Sequence, residues 1–366
     1  MMSSVTVRPY DPTRDEESFW RVLSLTYNNG DNIPEGNRSF EFSKGYVAEV
    51  DGVIEGAFKV VDFTGLFRGV EMRTAGIAAV AILPHRRGGG IGTKMLNGMV
   101  NLLKEEGYLM SSLYPFSETF YRKSGYESCG KRIKITCPRE RLPKTQQTLP
   151  IRLSGPADYE QLIGCHRVFA ESRSGLNIRN GIQWMRVLAE NRELCIYAAG
   201  DPVEAYAVIS HSTSFWTVDH VSEVVWSTAA GYDSILSFLR GLAVNKNGLS
   251  WYEPSDSPFM AQYLDQGVET KIERGIMYRV LNVPEVLAKL APALRVTVTD
   301  DSIASNSGVF GPEGEVDLSV THHQLAQIVL GEPSLQDLAR NRPVAMVNAK
   351  ALAAFPPLPA YCLEFF

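Results

Sequence analysis

The residues best suited to chemistry lie in 83–96, LPHRRGGGIGTKML. Arg86 and Arg87 precede three consecutive glycines, Gly88, Gly89 and Gly90, and Gly92 follows Ile91. An apolar run, AGIAAVAIL (75–83), leads in, and apolar residues at Ile91, Met95, Met99, Leu102 and Leu103 lead out at helical spacing. A strand, a bare loop and a helix are therefore expected. Such a junction can hold an anion. The first N–H groups of a helix have no partner inside it, the helix dipole adds positive potential, and glycine lets a phosphate approach the backbone. Arg86 and Arg87 add charge.

Two further stretches could take part. In FYRKSGYES (120–128) the phenol of Tyr121 would be a protonated donor at neutral pH, because a tyrosine ordinarily ionises near pH ~10. Tyr126, in the Gly-Tyr turn, reads as structural. The end of the chain, CLEFF (362–366), carries two aromatics where chain ends are usually frayed unless tied down.

Other chemistries fit poorly. Gly88 is followed five residues on by Thr93, not by the Gly-Lys-Ser/Thr of a P-loop, and the loop follows a fourth or fifth strand, not the first strand of a dinucleotide fold. A glycine turn with surface arginines is the plain alternative. His322-His323 reads as an exposed pair, and His85 as a solvated loop histidine. No HExxH, GxSxG or paired-cysteine spacing occurs, so no metal is expected. The net charge of −5 argues against nucleic acid as a partner. The five cysteines are scattered and read as reduced thiols. No signal segment or membrane-length apolar run is evident, so a cytoplasmic protein without a membrane partner is expected.

Around these residues the pattern is αβ throughout. VTVRPY (5–10) reads as a strand and DPTRDEESFWRVLSLTY (11–27) as a helix capped by Asp11 with Pro12 in its first turn. GYVAEVDGVIEGAFKVVDF (45–63) reads as a hairpin around Asp51-Gly52. VEMRTAGIAAVAIL, YLMSSLYPF and KRIKITCP read as strands, and SETFYRKSGYES as a short helix and turn. PRERLPKTQQTLP (138–150) reads as a linker. Beyond it the strand, helix and hairpin recur, the hairpin now around Gly200-Asp201, but the glycine loop does not. Trp184, Phe215, Trp216, Trp226 and Trp251 read as core of this second unit. A third unit begins near Val283-Pro284 and alternates helices (PEVLAKLAP, THHQLAQIVLG, SLQDLARN) with strands (RVTVTD, GEVDLSV).

The spacing Arg87-x-x-Gly90-x-Gly92 resembles the pyrophosphate loop of the GNAT acyl-CoA N-acetyltransferases, and FYRKSGYES resembles the late tyrosine motif of that family. The resemblance implies a fourth strand that splays from the fifth, with acetyl-CoA between them. Val80 and Ile82 would pair their backbone with the pantetheine arm. Arg87, Gly88, Gly90 and Gly92 would hold the pyrophosphate, and Tyr121 would be the general acid at the sulfur. The domain order resembles that of the enhanced-intracellular-survival acetyltransferases. It implies a catalytic GNAT domain (1–137), a linker (138–150), a degenerate GNAT-like domain (151–282) and a sterol-carrier-protein-like α+β domain (283–366). It also implies a terminal carboxylate, that of Phe366, acting as base or orienter for the amine, although an α-carboxyl near pKa ~3.5 is a poor match to an alkylammonium. An acidic pocket for polyamines such as aminoglycosides is implied too, with Asp31, Glu35 and Glu364 as candidates, and so is a homo-oligomer, a hexamer. The alternatives are an acetyltransferase for protein lysines and a lipid- or acyl-CoA-binding protein without catalysis.

Overall fold

The computed structural model describes residues 4–35, 38–181, 183–184, 194–210, 214, 216–341 and 344–364. They form two compact units. Residues 4–129, 276–357 and Glu364 make the first, and residues 130–275 and 358–363 the second.

The first unit begins with β1 (Val5–Pro9), α1 (Pro12–Tyr27), β2 (Lys44–Val50), β3 (Val53–Phe67), β4 (Val70–Ile82), α2 (Ile91–Glu105), β5 (Met110–Leu113) and α3 (Glu118–Arg122). The Asp11 side chain accepts from the Thr13 N–H, which caps α1, and Pro12 fits the first turn, where its missing N–H costs nothing. Asp51 (φ 51°) and Gly52 (φ 83°) make the hairpin turn that joins β2 to β3. Two adjacent positive φ values suit the twist of a two-residue hairpin. Strands β1 to β4 are antiparallel neighbours, whereas β5 runs parallel to β4, with α2 as the crossover. One sheet face buries Phe58, Ile77, Met95, Leu96 and Met99 with α2. The other buries Phe19, Trp20, Leu23 and Val47 with α1.

The sixth position of this sheet is taken by a late segment. Met277 to Val280 pair antiparallel with Leu113 to Met110. The chain then forms helix Val283–Leu290 and a small sheet ordered Gly308–Phe310, Val296–Thr299, Leu318–Thr321, Met346–Val347, with helix His322–Leu330 following the third of these strands in sequence. At the β3–β4 turn, Arg68 donates to the carbonyls of Ile328 (2.7 Å) and Pro356 (2.9 Å), fastening this late segment to the rest of the unit.

The second unit repeats the order. Its sheet runs Ile151–Leu153, Leu194–Ala199, Ala205–Ser210, Val218–Trp226, Gly248–Glu253. The hairpin expected at Gly200-Asp201 joins its second and third strands. Val218 to His220 run parallel to Gly248 to Ser250, the counterpart of β4 and β5. Its sixth strand is Ile133 to Pro138 of Glu127–Pro138, the expected KRIKITCP strand. Each unit thus completes its sheet with the strand that follows the other unit's parallel pair in sequence.

Two expectations need correction. Trp216 is 65% exposed at φ 58°, in a turn whose backbone bonds to Asn245, and is not core. Trp184 and Trp251 are buried and Trp226 is half-buried, while Phe215 lies outside the described residues. His322-His323 is not an exposed pair: His322 is 5% exposed and His323 half-buried, because the first turn of their helix packs beside Arg279 and Asp300. Among the described residues no helix is long and apolar enough to cross a membrane.

Candidate active site

The site begins where β4 outruns β5. The two pair only over Thr74 to Ile77, and β4 continues to Ile82. A bulge interrupts its ladder with β3, Lys59 facing Ala78 and Ala57 facing Ala81, and Ala79 takes φ 52°. The backbone of 78–82 therefore faces a gap on the β5 side. Val80 and Ile82, the sequence candidates for donor pairing, lie in this stretch, half-buried against the α2-side core.

After Ile82 the chain makes one tight turn (Pro84–Arg86) and enters the glycine loop. Arg86 is paired with Glu55 of β3, which fixes it to the sheet. Arg87 is exposed, and its Nε donates to the Ile82 carbonyl at 3.2 Å. Gly88 and Gly90 have φ of 85° and 78°, and a Cβ on either would meet nothing within 4 Å. They are glycines for backbone conformation, with open space before them. Gly92 differs. A Cβ there would come within 2.9 Å of the Phe120 ring, so this glycine lets α3 pack on α2. Gly90 caps α2 without a side-chain bond, and no acid lies in the first turn. Positive potential at this terminus is therefore left for an anion.

Tyr121 sits on α3, 2% exposed, its ring edge-on to Phe116, Phe120 and Tyr126 at 5.3, 5.1 and 6.1 Å. It belongs to the same core cluster against which Val80 and Ile82 pack. Its hydroxyl has no hydrogen bond among the described residues. Burial, then the neighbouring phenols of Tyr27 and Tyr126, push its pKa above the ordinary value, so it is a neutral donor at physiological pH.

The proposed acceptor residues are less gathered. Asp31 and Glu35 are exposed in the loop after α1, and the Asp31 backbone closes a turn with Asn28. Glu364 is half-buried, and its carbonyl accepts from the Tyr114 hydroxyl at 2.9 Å, just past the end of β5. Phe366 lies outside the described residues. Among the described residues no group of three or more His, Cys, Asp or Glu could hold a metal.

Sequence reasoning missed Tyr27. Its hydroxyl donates to the Val80 carbonyl at 2.6 Å, and it lies near enough to Arg87 and Tyr121 to interact electrostatically with both. The only local signal was an aromatic residue at the end of a helix. Its partners lie far along the chain.

Residues 11–129 match the family model described as the acetyltransferase (GNAT) domain. Over 99% of this chain and all of the other, the structure is similar to that of a GCN5-related N-acetyltransferase from Anabaena variabilis, with a TM-score of 0.85 and 18% identity. A GCN5-related N-acetyltransferase from Kribbella flavida is similar over 100% of this chain and 99% of the other, at TM-score 0.80 and 21% identity. Eis1 from Mycobacterium abscessus is similar over 99% and 100%, at TM-score 0.75 and 18% identity. No curated protein matches the chain. The architecture is the mixed α/β GNAT fold, and the domain at 11–129 makes this chain an acyltransferase.

Proposed function

We propose that the protein is an acetyl-CoA-dependent N-acetyltransferase for the amines of a polyamine-like small molecule, such as an aminoglycoside. The observation that carries this reading is Tyr121: a buried, neutral phenol whose hydroxyl has no hydrogen bond among the described residues, in the core cluster that also supports the unpaired stretch of β4. A GNAT domain uses acetyl-CoA, and the loop fits its acidic end. Arg87 and the uncapped start of α2 would face the pyrophosphate, Gly88 and Gly90 would admit it, and Val80 and Ile82 would pair with the pantetheine arm. Gly92 supports the loop through its packing on Phe120.

The amine nitrogen attacks the thioester carbonyl, a C–N bond forms and the C–S bond breaks. The departing thiolate takes the Tyr121 proton. Burial raises the basicity of thiolate and phenolate alike, so the two stay matched in a dry site. The amine's proton passes to the Phe366 carboxylate or to water that it orients. Asp31, Glu35 and Glu364 are the proposed acids for the other ammonium groups. In this reading residues 283–366 are a sterol-carrier-like domain, the second GNAT-like unit is not catalytic, and the enzyme is a cytoplasmic hexamer.

The test is CoA release from acetyl-CoA over aminoglycosides, polyamines, free lysine and lysine peptides, with Tyr121→Phe and a Phe366 deletion beside the wild type. Turnover with aminoglycosides, lost in both variants, is the expected result. Turnover with lysine peptides alone would move the substrate to proteins. Acetyl-CoA binding without turnover on any amine would overturn the catalytic reading.

A further inference from the structure

We infer that Arg279, held by Asp300, is a positioning residue for Tyr121, so that the late segment of the first unit braces the turn behind the acid. The inference rests on the reading of Tyr121 as proton donor.

Arg279 lies in strand Glu269–Val280, wholly buried, directly opposite Ser111 of β5. Its Nη2 donates to both carboxylate oxygens of Asp300 at 2.8 Å. Asp300 is fixed in turn by the backbone N–H groups of Ser302 and Ile303 and by the Asn306 amide. The guanidinium is thus held rigidly from the late segment.

What it is held against is the turn after α3. Gly125 there has φ 82°, and Nη1 of Arg279 stands 1.2 Å from the point a Cβ would occupy. His322 Cδ2 stands 2.8 Å from the same point. The guanidinium and the imidazole therefore fill the place of a side chain at Gly125. Nε and Nη1 of Arg279 have no hydrogen-bond partner among the described residues. Leaving two buried guanidinium nitrogens without hydrogen bonds is costly, and a salt bridge alone would not require it. Their cost is accounted for if shape at the turn is what the arginine provides.

The turn is secured from its other side as well. The Tyr126 and Ser111 hydroxyls share a hydrogen bond of 2.7 Å, and the Tyr126 ring meets Tyr121 edge-on. Tyr121 thus leans on a ring tied to β5, in a turn whose glycine is pressed by Arg279 and His322. Misplacing a catalytic group by about 1 Å can cost roughly a hundredfold in rate. The late segment would then serve the acid directly, whatever else it binds.

The test places a fluorotyrosine at position 121 of the full chain and follows it by fluorine NMR at neutral pH. The variants are Asp300→Asn and the milder His322→Gln, which leaves no buried charge unpaired. We expect one narrow resonance in the otherwise unaltered chain, and a split or broadened one in both variants, with acetyl-CoA affinity within about twofold. In unlabelled protein kcat should fall about tenfold in His322→Gln, and not further when Tyr121→Phe is already present, as for residues acting as one unit. An unchanged resonance in His322→Gln alongside a lower melting temperature would overturn the brace. So would an undiminished tenfold loss in the Tyr121→Phe background. If Tyr121→Phe alone left kcat intact, the acid reading would fail instead, and the resonance would still decide the brace. If Asp300→Asn does not fold, His322→Gln decides alone.

Discussion

The hydroxyl of Tyr27 donates to the carbonyl of Val80 at 2.6 Å, tying the last residue of α1 to the part of β4 that β5 leaves unpaired. Tyr27 is otherwise 57% exposed, so little packing holds it there. In the proposed complex the same stretch of backbone receives the pantetheine arm. We therefore expect Tyr27→Phe to bind acetyl-CoA more tightly, by about fivefold if one ordinary hydrogen bond of ~1 kcal/mol is no longer competed for. Titration calorimetry reads this directly. Weaker binding would mean that the phenol supports the arm instead of occupying its place.

Replacing Tyr121 by phenylalanine removes one oxygen from a ring that is otherwise packed on three aromatic neighbours. The hydroxyl has no hydrogen bond to orphan among the described residues, so the melting temperature should stay within about 2 °C. Turnover should fall by roughly a hundredfold, the lower range of general acid catalysis, with acetyl-CoA affinity unchanged. Because the pKa is raised, the wild-type rate should show no loss from Tyr121 ionisation until the pH is above the ordinary tyrosine value of about 10. A rate loss below that pH that vanishes in Tyr121→Phe would contradict the burial argument.

The loop glycines should separate by chemistry. Gly88 has open space and a left-handed backbone, so an alanine there costs roughly 1–2 kcal/mol of strain, and an asparagine, which tolerates that region, costs less. At Gly92 the φ is ordinary and the obstacle is the Phe120 ring. Alanine should cost about 1–3 kcal/mol and the larger asparagine more. Thermal unfolding of the four variants tests the opposite order of Ala and Asn at the two positions.

Much of this was legible because it is local. Asp51-Gly52 named its hairpin, Asp11-Pro12 its helix start, and 83–96 its strand, loop and helix. The role of Gly92 was not legible, since its reason is a ring about thirty residues on. Nor was the pairing of the KRIKITCP strand, whose apolar alternation gives a strand but not a partner; that partner is Gly248–Glu253. Tyr27 looked like a helix end, and His322 like a solvated residue, because the groups that engage them come from distant segments. Trp216 failed the other way: an aromatic side chain predicts burial only where the backbone is regular, and φ 58° places it in a turn.

The buried group around Arg279 should make the protein acid-sensitive in two steps. Burial, then the charges of Arg279 and His323, push the His322 pKa down to about 4, against the opposing pull of Asp300 and the Thr299 carbonyl. Unfolded, that histidine takes its proton near pH ~6.5, while the folded protein resists until about 4. Its contribution to stability is therefore whole above about pH 6.5 and lost as pH falls toward 4, an effect on the order of 3 kcal/mol. Asp300 acts later. Burial alone would raise its carboxyl, but the charge and hydrogen bonds of Arg279 outweigh that and hold it down to about 2, so its share is lost only as pH falls from 3.8 toward 2. We expect His322→Gln to flatten the fall of urea stability between about pH 7 and 4, while keeping the steeper loss below it. Asp300→Asn should instead lower stability at neutral pH by about 3–5 kcal/mol, because it leaves Arg279 charged and unpaired in the core. Parallel pH profiles for wild type and His322→Gln would show that the imidazole takes its proton as readily in the fold as in the unfolded chain, and that the first step belongs to another group.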